Sequence, residues 1–203
     1  MKFFSLLSIL SLSIVSSQGG GPGKGMMMMR GGSGGPGMMM DSNGGGYFCP
    51  INTYASGVQE VNPVNTSTSG LVSLMFSRDL SYLDFVLDVY KGKNITQAHL
   101  HCGGPGVGGP IILYLFGFDA NGVNVNGQLS SGTLTAESIV PADPTNSSVQ
   151  FQDIPTCGLV INNIASLYEA VLQRKVYLNV HSVANPPGEV RGQVINMCSC
   201  GGP

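Results

Sequence analysis

Histidines are the residues of this chain whose type and spacing could do chemistry. The 203-residue sequence has three: His99 and His101 in the stretch Thr-Gln-Ala-His-Leu-His-Cys, and His181 in the stretch Tyr-Leu-Asn-Val-His. Because side chains alternate across a β-strand, His99 and His101 would point to one face and their neighbours to the other. Neutral imidazole binds copper and zinc, and three nitrogens with an open position describe a copper site or a catalytic zinc site. We expect one metal site made of these three histidines, with copper favoured over zinc.

Arg191 is the candidate for a second chemical role. A redox reaction of an anionic substrate at copper needs a positive group to attract the anion, and Arg191 would supply it. The structural alternative is that Arg191 pairs with Glu189, which shares its strand face, or with loop carbonyls near Gly188 and Gly192. A hydrolytic zinc site ranks last because no general base is evident.

Other polar residues near the histidines would orient the imidazole rings. Glu189, Asn179 or Gln97 could each accept an imidazole N–H, and the sequence does not rank them. The glycine-rich run 103–109 lacks the Lys-Ser/Thr of a phosphate-binding loop and leads into a strand. We expect a tight loop beside the histidine strand instead.

The beginning of the chain predicts secretion. Residues 1–17 have the pattern of a signal peptide, with Lys2 before an apolar stretch. Residues 18–46 are rich in glycine and contain the methionine runs 26–29 and 38–40. So much glycine predicts a flexible tail. Its methionines could collect copper as soft ligands or serve as adhesive or oxidant-absorbing low-complexity sequence, and the second interpretation is preferred.

Composition restricts the partners. Charged residues are 10% of the chain and the net charge is −2, which argues against nucleic acid. After the signal peptide, no apolar run reaches the roughly 20 residues of a membrane helix. Sequons at Asn65, Asn94 and Asn146 fit an extracellular protein. We expect extracellular proteins or matrix as partners, and the oligomeric state is left open.

Five cysteines in an oxidising compartment are expected to be mostly paired. A Cys49–Cys198 bridge would join the two ends of the domain, and Cys102 with Cys157 would form the second pair. Cys200 would then remain for a cross-link to another chain. The sequence does not fix the connectivity, and buried free thiols are the alternative.

The elements that position these residues are short strands in a single domain over residues 47–203. β-branched and aromatic runs between Gly, Pro, Asn and Ser clusters predict an all-β, antiparallel sandwich or barrel. The expected strands cover residues 71–76, 82–90, 95–102, 111–118, 131–135, 149–151, 176–183 and 189–197. One short helix should bury the face of Ile164, Leu167, Tyr168, Val171 and Leu172, with Asn162 or Asn163 as its N-cap.

Two segments resemble the signature blocks of the chordin-type (CHRD) domain family. They are Ala-His-Leu-His-Cys-Gly-Gly-Pro-Gly-Val-Gly-Gly-Pro at 98–110 and the stretch from Tyr177 to Gln193. The resemblance covers about residues 68–197 and implies an immunoglobulin-like or superoxide-dismutase-like β-barrel in a secreted protein. It implies no single activity. The growth-factor antagonism of animal chordin lies largely in separate cysteine-rich repeats, to which nothing here is similar, so it is not carried over.

Two functions follow as expectations. The His-x-His strand resembles the arrangement that holds copper in copper-zinc superoxide dismutases, although this chain has no further histidines for zinc. The first expectation is therefore a copper-binding protein with superoxide dismutase-like redox activity. The alternative is a non-enzymatic module of the extracellular matrix or cell surface, in which glycans, the tail and the odd cysteine mediate contacts.

Overall fold

The computed structural model of this chain describes residues 46–140 and 158–196. The predicted signal peptide, all of the predicted tail but Gly46, and the predicted strand 149–151 lie outside these residues. So do Asn146, Cys157, Cys198 and Cys200.

Within the described residues the chain forms seven strands, one α-helix and two short 3-10 turns, at Gly57–Gln59 and Ala136–Ser138. All the strand pairings are antiparallel. The predicted all-β fold with one short helix is confirmed. The elements are β1 (Ile51–Ser56), β2 (Ser69–Phe76), β3 (Leu83–Cys102), β4 (Ile111–Phe116), β5 (Val123–Leu134), α1 (Ile164–Leu172), β6 (Val176–Ser182) and β7 (Val190–Gln193).

The central element is β3, a strand of 20 residues that replaces the two predicted strands 82–90 and 95–102. Its first half pairs with β2 and β5, and its second half pairs with β6 and β4. β2, β1, β7 and β6 continue from one half of β3 back to the other. A single residue pair, Ser56 with Arg191, joins β1 to β7 and closes the barrel.

Two strands were predicted poorly. β1 was not predicted, and β5 was expected only at 131–135 although it begins at Val123. β5 contains two Asn and two Gly, residue types that are depleted in strands, whereas β1 contains the strand formers Ile, Thr and Tyr but is only six residues long. Their strand structure comes from pairing with β2 and β3, which sequence periodicity does not report.

The two faces of β3 and β6 differ in chemistry. Buried apolar residues on one face of each strand belong to the hydrophobic core, and the other face carries polar and aromatic residues. The predicted alternation around the His-x-His pair is therefore confirmed. The core side has Ala98, Leu100, Cys102, Val176, Leu178 and Val180, and the polar side has Gln97, His99, His101, Tyr177, Asn179 and His181.

The helix α1 covers part of the core as its apolar pattern predicts. Ile164, Leu167 and Val171 are buried, whereas Leu172 is 48% exposed. The N-cap is Asn163, whose side chain accepts a 2.8 Å hydrogen bond from the Ser166 N–H.

Candidate metal centre

The three histidines meet on the polar side of β3 and β6. These strands are neighbours, and their register sets His181 opposite Gln97, two residues from His99. One ring nitrogen from each histidine lies within 4.8 Å of those of the other two. The side chains of His99, His101 and His181 are 1%, 8% and 7% exposed. The expectation that they lie close together is confirmed.

Each imidazole has one nitrogen directed at an acceptor outside the cluster. His101 Nδ1 lies 2.9 Å from the Gly109 carbonyl oxygen, and His181 Nδ1 lies 2.8 Å from that of Pro186. His99 Nε2 lies 3.1 Å from Oε1 of Gln97. A carbonyl oxygen only accepts, so each of these nitrogens carries the proton.

The remaining nitrogens, Nδ1 of His99 and Nε2 of His101 and His181, are therefore unprotonated and face one another. Nδ1 of His99 lies 3.3 Å from Nε2 of His101, which brings two lone pairs together without a proton between them. Nε2 of His181 is buried and has no hydrogen-bond partner among the described residues. Three converging lone pairs, one with no partner, are the donor set that a metal ion would satisfy.

Burial keeps these imidazoles neutral. Desolvation, followed by the charges of His101 and His181, lowers the pKa of His99 to about 3. Desolvation also lowers the pKa of His101 to about 4, against the hydrogen bond to Gly109, and lowers the pKa of His181. Neutral imidazole is the form that coordinates metals, so all three groups are ready to bind at neutral pH.

Tyr177 lies between the cluster and Arg191. β3 and β7 flank β6 on opposite sides, so Tyr177 has His101 on one side and Arg191 on the other. The His101 and Tyr177 rings are stacked with centroids 4.9 Å apart and planes 7° apart. The Arg191 guanidinium carbon lies 3.4 Å from the Tyr177 ring centroid. The three side chains form one stack that fixes the position of His101.

Arg191 is 2% exposed and is used by the fold. Its Nη2 donates to the carbonyl oxygens of Gly104 at 2.8 Å and Val107 at 2.9 Å. Glu189 accepts instead from Thr66, Asn185 and Ser182. Arg191 thus bonds loop carbonyls, but those of the 103–109 loop and not those near Gly188 and Gly192.

The 103–109 loop reaches the cluster through Gly109. The Gly109 carbonyl accepts from His101, and its N–H donates to the Tyr177 hydroxyl at 3.0 Å. A Cβ atom at this position would overlap the carbonyl oxygen of Cys102. Only glycine lets the loop pass so close to β3 and place its carbonyl against His101.

A pocket of about 500 Å³ opens beside two of the histidines. His101, His181, Tyr177 and Arg191 line it together with Glu60, which follows the turn after β1. Asn179, directly opposite both His99 and Arg191 in the sheet, donates to Glu60 Oε1 at 2.6 Å. Burial raises the pKa of Glu60, while the Asn179 hydrogen bond and the charge of Arg191 lower it.

The remaining predicted sites are separate from this cluster. Cys102 is fully buried in the core and Cys49 is exposed, while their predicted partners lie outside the described residues. Asn65 and Asn94 are exposed, as glycan acceptors must be. The disulfide pairings and the glycosylation of both sites stay predictions.

Sequence reasoning missed several residues of the site. The alternation that groups Asn179 with His181 also places Tyr177 on that face, so the position of Tyr177 was predictable from the sequence. Gln97 was one of three proposed ring acceptors and is an acceptor for His99. The carbonyls of Gly109 and Pro186 carry no sequence signal because any residue has a carbonyl. Glu60 lies in an irregular segment, and the residues next to it in sequence form no pattern that predicts a site.

Among the described residues, no helix is long and apolar enough to cross a membrane.

Comparison with known proteins places the chain in a family. No curated protein and no solved structure matches the chain. The family model of the CHRD domain matches residues 51–194, a range that includes every strand described above and all three histidines. The chain therefore belongs to the CHRD domain family.

Proposed function

We propose that this chain is a secreted CHRD-domain protein that binds one copper ion through His99, His101 and His181. The observation that carries the proposal is the set of three converging, unprotonated imidazole nitrogens, of which the buried Nε2 of His181 has no hydrogen-bond partner in the described part of the chain. Such a nitrogen costs free energy unless it finds a donor or a metal. The outward hydrogen bonds of the three rings fix their orientation, as is usual for metal-binding histidines.

Copper is favoured over zinc for two reasons. A given nitrogen site binds Cu²⁺ more tightly than Zn²⁺. In addition, the candidate ligand set among the described residues is three imidazoles without a carboxylate or thiolate. Bound copper would supply a redox-active centre. The role of the chain's own residues is to hold three neutral nitrogens in place and to leave a side open to the pocket.

Superoxide dismutase-like redox activity is the further step of this proposal. It requires attraction of the anion, and the candidate cation is Arg191, which lies on the pocket wall beyond Tyr177. The Nη2 atom of Arg191 is occupied by two loop carbonyls, so any attraction would act through its overall charge. Superoxide removal by the copper-loaded chain, and its loss in a folded His181→Ala variant, is the measurement that supports this step.

Copper binding is tested by metal analysis and titration of the purified chain. We expect one copper per chain, with nitrogen hyperfine coupling in the electron paramagnetic resonance spectrum. Replacing any one of the three histidines with alanine should weaken copper binding by more than about 100-fold, because removal of an outer-shell partner alone costs 10 to 100-fold. Tyr114→Phe, which keeps the aromatic ring 4.9 Å from that of His99, is the control and should bind copper normally.

Gln97 provides a separate test of the ring orientation. Gln97→Glu presents only acceptor oxygens to Nε2 of His99 and should strengthen copper binding. Gln97→Leu removes the acceptor and should weaken binding by about 10 to 100-fold. Lack of stoichiometric copper or zinc in the wild-type chain, or metal binding unchanged in the triple alanine variant, would refute the proposal. The extracellular interaction module would then be the remaining hypothesis.

A further inference from the structure

The buried carboxylate of Glu189 lies at the end of the loop between β6 and β7, residues 183–189. We propose that Glu189 is a positioning residue for the candidate metal centre. By holding this loop it keeps the Pro186 carbonyl against Nδ1 of His181, so that Nε2 is left unprotonated for a metal. The inference rests on the proposed function only for its effect on copper, because the position of the proton is a property of the metal-free chain.

Glu189 connects the two sides of the loop through one oxygen. Its Oε2 accepts from the Ser182 hydroxyl at 2.7 Å and from the Asn185 side-chain amide. The Ser182 Oγ in turn accepts from the Asn185 backbone N–H at 3.0 Å. The other oxygen, Oε1, accepts from Thr66, which lies outside the loop. Because hydrogen bonds to a carboxylate are the strong ones, this side chain fixes the residue that precedes Pro186.

His181 depends on the same loop for the position of its proton. Its Nδ1 lies 2.8 Å from the Pro186 carbonyl oxygen. In a neutral imidazole, the hydrogen bond made by one nitrogen determines which nitrogen carries the proton. Pro186 itself is exposed and follows Asn185 directly. Its carbonyl therefore stays against the ring only while the loop is held in place.

The opposite tautomer of His181 has acceptors inside the cluster. A proton on Nε2 would face the lone pairs of His99 and His101, whose nitrogens lie within 4.8 Å. In the metal-free chain it would relieve the repulsion among three lone pairs. A protonated nitrogen does not coordinate a metal. Loss of the Pro186 acceptor would thus leave two ligand nitrogens instead of three.

The role of Glu189 is indirect. The sequence makes it one of three candidate acceptors for an imidazole N–H, but its oxygens bond hydroxyl and amide donors instead. Gln97, by comparison, contacts His99 directly. Glu189 reaches His181 only through Asn185 and the carbonyl that follows it, so a change at Asn185 should have the same effect as a change at Glu189.

The test is the nitrogen-15 NMR spectrum of the His181 ring in the full chain, stripped of metal with a chelator. At pH 8, above the lowered pKa of His181, the ring is neutral, and the wild type should carry its proton on Nδ1. Glu189→Leu removes the acceptor and Asn185→Leu removes the contact from the loop side. Each should shift the proton toward Nε2 and weaken copper binding by about 10 to 100-fold. Asn185 is only partly buried, so its variant decides the question even if Glu189→Leu does not fold.

Thr66→Val is the matched control. It removes the hydrogen bond at the other oxygen of the same carboxylate and keeps nearly the same shape. Its urea midpoint should fall while the proton of His181 stays on Nδ1. This result separates the positioning of the loop from a general loss of stability.

A proton that stays on Nδ1 in Asn185→Leu, or that moves to Nε2 equally in Thr66→Val, would overturn the inference. Copper stoichiometry is measured independently on the wild type. A wild-type chain that binds no copper refutes the proposed metal site, while the spectra of the metal-free chain still decide the role of Glu189.

Discussion

At the scale of single residues, the charged side chain of Arg191 has a structural role beside the candidate metal site. From the sequence, Arg191 is the candidate cation for attracting an anion to the metal site. In the fold the same guanidinium bridges two carbonyls of the 103–109 loop and packs on Tyr177. This bridge links β7 to the loop that carries the Gly109 acceptor of His101. Arg191 therefore stabilises the site from outside the cluster.

Arg191→Lys should destabilise the folded chain while keeping its charge. A lysine ammonium cannot hold both carbonyls and also lie flat on the Tyr177 ring, so we expect a loss of about 2 kcal/mol. Urea unfolding measures this, with Arg174→Lys at an exposed position as the control. Equal midpoints for the two variants would contradict the structural role of Arg191.

At the scale of elements, the 103–109 loop packs closely against the end of β3 at one residue. Gly109 passes so close to the Cys102 carbonyl that a Cβ atom would overlap it, whereas a Cβ at Gly108 would meet nothing within 4 Å. The loop thus combines tolerant glycines, such as Gly108, with glycines that geometry requires, of which Gly109 is the most tightly packed. That one contacts both His101 and Tyr177.

Gly109→Ala should impair both folding and the metal site. The loop must move away from β3 to admit the methyl group, which removes the acceptor of His101 Nδ1 and should weaken copper binding by about 10 to 100-fold. Thermal unfolding and copper titration measure the two effects. Gly108→Ala is the matched control and should change neither, and similar losses in both variants would disprove the distinction.

Elements with a clear apolar pattern were predictable from the sequence, as were the residues that alternate with them. β2, β4, β6 and α1 were found near their observed positions, and the shared face of His99 and His101 followed from period-two alternation. β1 was not found because its six residues are too few to show a clear pattern, and most of β5 was not found because its strand structure comes from pairing with β3. The contribution of Glu60 to the pocket depends on how an irregular segment folds over the sheet, and local sequence does not encode that.

At the scale of the whole molecule, closing the barrel removes three histidines from water. β3 and β6 contribute the ligand candidates, and the closed ring of strands buries them to below 10% exposure. The folded chain therefore carries three imidazoles whose pKa values are lowered, and its stability must depend on pH.

The metal-free chain should lose stability as the pH falls below about 6.5. The ordinary pKa of histidine is 6.5, while that of His101 in the folded chain is about 4. Between these values the unfolded chain binds protons that the folded chain does not. The free energy of unfolding therefore falls with decreasing pH, by about 1 kcal/mol per pH unit for each histidine.

Urea midpoints between pH 7.5 and 5.5, in the presence of a chelator, measure this dependence where carboxylates of ordinary pKa stay mostly ionised. His101→Gln removes one of the three groups and should reduce the slope by about a third. A midpoint that stays constant across this range would show that the imidazoles are not held neutral by the fold.

The long strand β3 also determines the order in which the protein can mature. The histidines of β3 lie two residues apart in sequence, but His181 reaches them only when β6 pairs with the second half of β3. Before that pairing, the nascent chain has only the two imidazoles of β3 to bind a metal, and two nitrogen ligands make a weak site. The site with three nitrogens exists only after β6 has paired with β3. Under the proposed function, copper would thus go to chains that have finished folding, and its binding energy would help to keep them closed.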